Sequence, residues 1–169
     1  MKSINQSLAK ELEQMAKIDQ EMRMNWIEKG TDWDAKIDNA NQKRLKQIVN
    51  EYGWPTISLV GKEASHAAWL IAQHAPSLKF MEKCLDLMEQ LPPGEVNPGN
   101  IAFLKDRVLM FNGKPQIYGT QFQGFGEDIK VYNIQDPEHV DERRASVGLE
   151  TFAENEARLR KINRVKKTK

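Results

Sequence analysis

Apolar residues recur at every third or fourth position along most of the chain, the spacing that places side chains on one face of an α-helix. This pattern predicts helices over residues 5–28, 38–52, 62–75, 77–91, 100–112 and 136–147, and a last helix over 150–165. Glycine and proline, as in Gly53-Trp54-Pro55 and the loop at 92–99, separate several of these segments and stop helices. Asp38 either lies on the apolar face of the second helix or caps its N-terminus.

The helical pattern gives way to strand-like sequence after residue 113. Residues 116–122 and 129–134 predict two strands, joined at Gly124-Phe125-Gly126 as a β-hairpin. Residues 56–60 alternate between polar and apolar residues and predict a short extended segment. The predicted fold class is therefore mainly α, a multi-helix domain with one β-hairpin packed against it. No internal repeat or long linker divides the sequence, so residues 1–169 are expected to form one domain.

Polar side chains interrupt the apolar faces of four predicted helices. Asp19 lies on the apolar face of the first helix, Asp38 and Asn41 lie on that of the second, and His74 ends that of the third. Arg107 is flanked by apolar residues on a helix that is apolar nearly all round, which predicts a buried position. Because burying an unpaired charge is costly, we expect these groups to meet in a shared interior. Such an interior is either a ligand site between helices or a hydrogen-bonded network that only stabilises the fold.

The residue types in this interior suggest acid–base chemistry. His74 titrates near neutral pH, and a carboxylate from Asp19, Asp38 or Asp106 could orient its imidazole ring. The candidate catalytic residues are therefore His74, Asp106 and Asp19, with Arg107 as a clamp for an anion. The candidate substrate contacts are Arg107, Gln73, Tyr118, Gln121 and Asp38. The segment Tyr118-Gly119-Thr120-Gln121 either grips a polar ligand or forms a strand with a bulge at Gly119.

Other site chemistries have weaker support. Asp19, Asp38 and His74 could bind a divalent cation, but the sequence has no His-x-x-x-His or Glu-x-x-His pair, so no metal site is predicted. No nucleophile elbow or phosphate-binding loop is present, and the cofactor is unknown. The single Cys84 excludes an intramolecular disulfide and a cysteine-based zinc site, and its apolar neighbours predict a buried thiol. His66 and His139 are expected at the surface.

Composition and charge limit the partners. With 40% hydrophobic and 29% charged residues and a net charge of +1, the chain is typical of a globular protein with no overall attraction to nucleic acid. Residues 158–169 contain seven basic residues and no acidic one, which favours a basic helix end over a nucleic-acid contact. No run of about 20 apolar residues predicts a membrane span, and no signal peptide is evident, so a cytoplasmic location is expected.

Several short motifs together resemble a bacterial domain family of unknown function, over roughly residues 8–150. In chain order they are Met15-Ala16-Lys17-Ile18-Asp19-Gln20, Gly53-Trp54-Pro55-Thr56, Gln73-His74-Ala75, Asp106-Arg107-Val108, Gln116-Ile117-Tyr118-Gly119-Thr120-Gln121, Asp141-Glu142-Arg143-Arg144 and Val147-Gly148-Leu149. The resemblance supplies no substrate. It implies that the family pattern includes Asp19, Gln20, Gln73, His74, Asp106, Arg107, Tyr118 and Gln121, which overlap the interrupting polar residues.

The sequence leaves three hypotheses for function. The first is a small enzyme or ligand-binding domain acting on a small polar molecule, with hydrolysis or group transfer as the broadest reaction class. The second is a non-catalytic protein-interaction module, of immunity or adaptor type, whose buried polar network is structural. The third and weakest is an association with nucleic acid through the basic residues at 158–169.

Overall fold

The computed structural model describes residues 4–162, and these form eight α-helices and one short antiparallel pair of strands. This confirms the predicted mainly α fold with a single hairpin. The helices are α1 (Gln6–Glu28), α2 (Ala35–Tyr52), α3 (Ile57–Val60), α4 (Lys62–Gln73), α5 (Leu78–Glu89), α6 (Pro98–Phe111), α7 (Val140–Ser146) and α8 (Phe152–Arg160). The strands are β1 (Phe122–Gln123) and β2 (Lys130–Val131).

Helix α4 lies at the centre of the helical core. It contacts α1, α2, α3, α5 and α6, and its most extensive contact is with α1. Ala64, Ala68 and Ala72 recur every four residues and are fully buried, so their small side chains allow neighbouring helices to approach closely. The C-terminal end of α4, where His74 caps the helix two residues before Pro76, is thereby surrounded by other helices.

Helix α2 begins three residues earlier than the apolar pattern predicts. Asp34 caps it, because the Asp34 side chain accepts a hydrogen bond from the backbone N–H of Lys36. The alternative in which Asp38 is the N-cap is therefore wrong. Asp38 instead lies one turn inside the helix with its side chain buried, on the same face as Leu45.

Residues 56–60 are not extended, contrary to the prediction. They form the single turn of α3, which begins where the Thr56 hydroxyl accepts a hydrogen bond from the backbone N–H of Leu59 at 3.2 Å. Gly61 ends the turn with φ = 88°, a conformation that glycine adopts without strain. Alternation over five residues was too short a pattern to distinguish a strand from one helical turn beginning at a good N-cap residue.

The predicted strands over 116–122 and 129–134 are mostly irregular. Only Phe122 pairs with Val131 and Gln123 with Lys130, and residues 126–128 between the strands form a short 3₁₀ turn. A single bridge joins Gln116 to Ile134. Residues 117–120 leave the ladder because their backbone N–H groups bind a side chain of α6 instead, as the site geometry below shows.

The C-terminal part of the described chain is helical but shorter than predicted. Residues 137–139 form a 3₁₀ turn before α7, and a capping box at Thr151 and Glu154 begins α8. The expected basic helix end lies partly outside the described residues, which stop at 162. Cys84 is fully buried, as predicted, and no helix within residues 4–162 is both long and apolar enough to cross a membrane.

Candidate functional site

A cluster of ionisable side chains lies where α1, α2 and the end of α4 meet. The imidazole Nδ1 of His74 is 2.9 Å from Oδ2 of Asp19. Arg23, one turn after Asp19 on α1, donates to both oxygens of that carboxylate at 3.0 and 3.1 Å. The Arg23 guanidinium also donates to Asp38 on α2 at 2.5 Å. We call Asp19, Arg23, Asp38 and His74 the acid–histidine cluster.

The charge states in the cluster follow from burial and hydrogen bonding. Burial opposes ionisation of Asp19, but hydrogen bonds from His74 and Arg23, with the charges of His74 when protonated and of Arg23, outweigh it and lower the pKa of Asp19 to about 2. Burial also lowers the pKa of His74, helped by the nearby charges of Arg23 and Arg107, although Asp19 opposes this shift. At neutral pH the cluster therefore holds an ionised Asp19 beside a neutral imidazole. Burial raises the pKa of Asp38.

These charge states determine the tautomer of His74. An ionised carboxylate only accepts hydrogen bonds, so Nδ1 of the neutral imidazole must carry the proton that it donates to Asp19. The other ring nitrogen, Nε2, then carries a lone pair. Within residues 4–162 no protein group donates to Nε2, and 14% of the His74 side chain is exposed. The arrangement can act as a general base whose protonated form Asp19 would stabilise.

Arg107 on α6 lies close enough to this cluster for its charge to affect His74, but it binds neutral partners. Its Nε donates to Oε1 of Gln121 at 2.9 Å, and its Nη1 donates to the backbone carbonyl of Gln73 at 2.9 Å. Burial, with the charge of Arg23, lowers the pKa of Arg107 to about 10, so it remains a cation at neutral pH. No carboxylate of the described chain lies within 4 Å of its guanidinium nitrogens.

A cavity of about 290 Å³ lies beside Arg107, bounded by α1, α4, α6, the hairpin and α8. Gln73, Arg107, Thr120 and Gln121 supply polar groups to its wall, and most of the other lining side chains are apolar. Gln73 is only 3% exposed, and its Oε1 is buried without a hydrogen-bond donor. The cavity thus brings together three predicted substrate contacts, Gln73, Arg107 and Gln121, whereas His74 and Tyr118 are not among its lining residues.

Asp106 is not placed beside His74. Its Oδ1 accepts from the backbone N–H of Ile117 at 2.7 Å and of Tyr118 at 3.1 Å, and its Oδ2 accepts from the N–H and hydroxyl of Thr120, both at 3.0 Å. With its oxygens filled in this way and the side chain fully buried, Asp106 anchors the 117–120 segment to α6. Of the three proposed carboxylate partners, Asp19 is the one that contacts His74.

Arg144 and Gln116 are buried polar residues whose roles the sequence analysis did not predict. Arg144 is 1% exposed and donates to the backbone carbonyls of Tyr118 and Glu150 at 2.7 and 2.6 Å. Gln116 donates to two backbone carbonyls and accepts from the N–H of Gln121. A signal for Arg144 existed, since it follows Val140 by four residues and shares its buried face.

The other histidines lie at the surface, as predicted. His66 is exposed on α4 and approaches Asn100, and His139 is exposed and pairs with Asp136. Over the part of the chain that the structure describes, no group of three or more histidine, cysteine, aspartate or glutamate side chains could hold a metal ion. The geometry therefore gives no support to the metal alternative built on Asp19, Asp38 and His74.

The sequence model of one protein family matches residues 6–167, nearly the whole chain. The chain belongs to this family, a family of unknown function (DUF6624). For this DUF6624 chain, neither the curated proteins nor the solved structures include a match. The family assignment confirms the resemblance to a family of unknown function, and the chemistry must be inferred from the DUF6624 site itself.

Proposed function

We propose that the chain is a small enzyme or ligand-binding domain that acts on a small polar molecule held in the cavity beside Arg107. The observation that carries this proposal is the partly buried cation of Arg107, which lines the cavity and meets only neutral partners. Gln73 lines the same cavity and has a buried Oε1 with no donor. A cation without an anionic partner beside a cavity is typical of a ligand site.

The acid–histidine cluster supplies the chemistry in this proposal. His74 follows Gln73 directly in the chain, and Arg107 hydrogen-bonds the Gln73 carbonyl, so the base and the cavity share one helix end. His74 Nε2 would take a proton from a water molecule or a ligand hydroxyl, and Asp19 would stabilise the resulting imidazolium. Hydrolysis or group transfer is the broadest reaction class that this pair supports. Arg23, itself paired with Asp38, holds the Asp19 carboxylate in place.

A second candidate is a non-catalytic protein-interaction module whose polar interior serves only the fold. The anchoring of residues 117–120 by Asp106 and Arg144 favours it, since those buried groups bind the protein's own backbone. If this candidate is correct, the acid–histidine cluster is also structural, and its side chains only satisfy one another's hydrogen bonds.

A thermal-shift screen against metabolites and metal ions distinguishes the two candidates. A ligand at 100 times its Kd stabilises the fold by about 2.7 kcal/mol, which raises the Tm by about 5–10 °C in a chain of this size. On the first proposal at least one small polar molecule does so. His74→Ala costs stability on either candidate, because it removes the hydrogen bond to Asp19, so its Tm without ligand does not distinguish them. If no compound shifts the Tm, the structural candidate is favoured.

A further inference from the structure

Arg107 is the one cation among the described residues that line the cavity, and no carboxylate of the described chain pairs with it directly. Arg23 nearby is already paired with two carboxylates, Asp19 and Asp38. Arg107 uses two of its five N–H hydrogens on Gln121 and on the Gln73 carbonyl, which leaves three without a protein acceptor among residues 4–162. A guanidinium in this state binds a carboxylate or phosphate oxygen through charge-assisted hydrogen bonds.

The Oε1 of Gln73, which has no hydrogen-bond donor, places a second requirement on the ligand. Its Nε2 lies 3.5 Å from the carbonyl oxygen of Phe103, and exchanging the two ends of the amide would place two acceptors against each other. The orientation with Oε1 free is therefore the one that the surroundings allow. Oε1 has almost no accessible surface, so a ligand N–H or O–H reaches this acceptor when the Gln73 side chain turns toward the cavity that it lines, and the ligand then carries a hydrogen-bond donor as well as an anionic group.

The rest of the cavity wall is apolar. Ile27, Phe103, Phe125 and Leu159, from α1, α6, the hairpin and α8, line it together with further apolar side chains. A volume of about 290 Å³ has room for about ten water-sized groups, which is small for a ligand pocket. A ligand that fills it must therefore cover mostly apolar surface with a compact body.

Charge balance favours a carboxylate over a phosphate. Arg107 offers one positive charge, and a phosphate ester near neutral pH carries close to two negative charges with three oxygens to satisfy. A monocarboxylate matches the single charge and the planar geometry of the guanidinium. It also leaves the apolar wall free for an aromatic or branched aliphatic body.

Resting on the proposed function, we propose that the ligand is a small monocarboxylate with an apolar body and a hydroxyl or amino group near the carboxylate. The carboxylate binds Arg107, the hydroxyl or amino group donates to Oε1 of Gln73, and the body packs against Phe103 and Phe125. Hydroxy acids and amino acids with apolar side chains have this composition.

Isothermal titration of the wild-type protein with a series of related compounds tests the ligand class. The series is 3-phenyllactate, 3-phenylpropanoate without the hydroxyl, and 3-phenyllactamide without the charge, with inorganic phosphate as a separate probe. We expect 3-phenyllactate to bind most tightly, the loss of the hydroxyl to weaken binding about tenfold, and the loss of the charge to weaken it at least thirtyfold. Because these comparisons use one folded protein, they do not depend on the stability of any variant.

Two variants then test which residue binds the carboxylate of the ligand and which binds its hydroxyl group. Arg107→Met should remove the preference for 3-phenyllactate over its amide, and Gln73→Met should make 3-phenyllactate and 3-phenylpropanoate bind equally. Lys105→Met, two residues away on α6 and paired with Glu89, is the matched control and should leave both preferences unchanged.

The outcomes separate the two proposals. If the amide binds as tightly as the acid, or phosphate binds more tightly than both, the ligand class is wrong while binding at the site still supports the proposed function. If neither this series nor the metabolite screen gives binding, the proposed function fails as well.

Discussion

Replacing Asp19 with asparagine tests the charge states on which the site depends. The pKa of Asp19 falls from an ordinary value of 3.8 in the unfolded chain to about 2 in the fold. At 1.36 kcal/mol for each pKa unit, this difference contributes about 2 kcal/mol to the free energy of unfolding above pH 4. Because the Asp19 side chain is 1% exposed, solvent screening reduces this contribution little.

The sign of the pH dependence follows from the lowered pKa. The stabilisation by Asp19 is fully present above pH 3.8 and is lost as the pH falls through the folded-state value near 2. Asp19→Asn should therefore lose about 2 kcal/mol at pH 7, or more if Arg23 is left partly unpaired. The difference between variant and wild type should shrink as the pH falls from 4 to 2.

Urea unfolding followed by circular dichroism at pH 7, 5, 4 and 3 measures this effect. Asp86→Asn is the control, because Asp86 is exposed on α5 and should change the free energy of unfolding by less than about 0.5 kcal/mol. A loss below 0.5 kcal/mol for Asp19→Asn, or a difference from wild type that stays constant down to pH 3, would refute the assignment of an ionised, hydrogen-bonded Asp19.

Three further predictions concern the cluster and the loop. Nitrogen NMR of His74 should show a neutral ring protonated at Nδ1, with a pKa below 6.5 that falls further in Asp19→Asn; a pKa above 6.5 would contradict the neutral state at pH 7. Gly119→Ala should cost more than about 1 kcal/mol because its Cβ would lie 2.7 Å from an isoleucine methyl group, whereas Gly113→Ala, also at positive φ but in open space, should cost less in the same urea assay. Asp106→Asn should lose at least about 2 kcal/mol, since an amide nitrogen would face backbone donors, and a smaller loss by calorimetry would argue against the anchoring role.

Much of the helical fold could be predicted from the sequence because apolar periodicity directly reports which face of a helix is buried. The same periodicity identified Asp19 and His74 as polar groups on buried faces, and they lie 2.9 Å apart. Because α1 and α4 both have an apolar face, the sequence indicated that the two helices could pack together. It did not indicate which of the carboxylates of Asp19, Asp38 and Asp106 contacts His74.

The irregular segment over residues 117–120 could not be predicted in the same way. Its backbone is held by the carboxylate of Asp106 and by Arg144, and bonds between a side chain and a distant backbone leave no periodic pattern in the sequence. The apolar cavity wall was missed for a related reason. Ile27 and Leu159 are more than 130 residues apart, and no local pattern indicates that they line one space.

Asp106 and Arg107 are consecutive residues of α6, yet they serve different neighbours. Asp106 binds the backbone of residues 117–120, and Arg107 binds the side chain of Gln121, the next residue of the same loop. Successive helical residues are rotated by about 100°, so inserting or deleting one residue before them in α6 would turn both side chains away together. We therefore expect the part of α6 before Asp106 to tolerate substitutions far better than insertions or deletions.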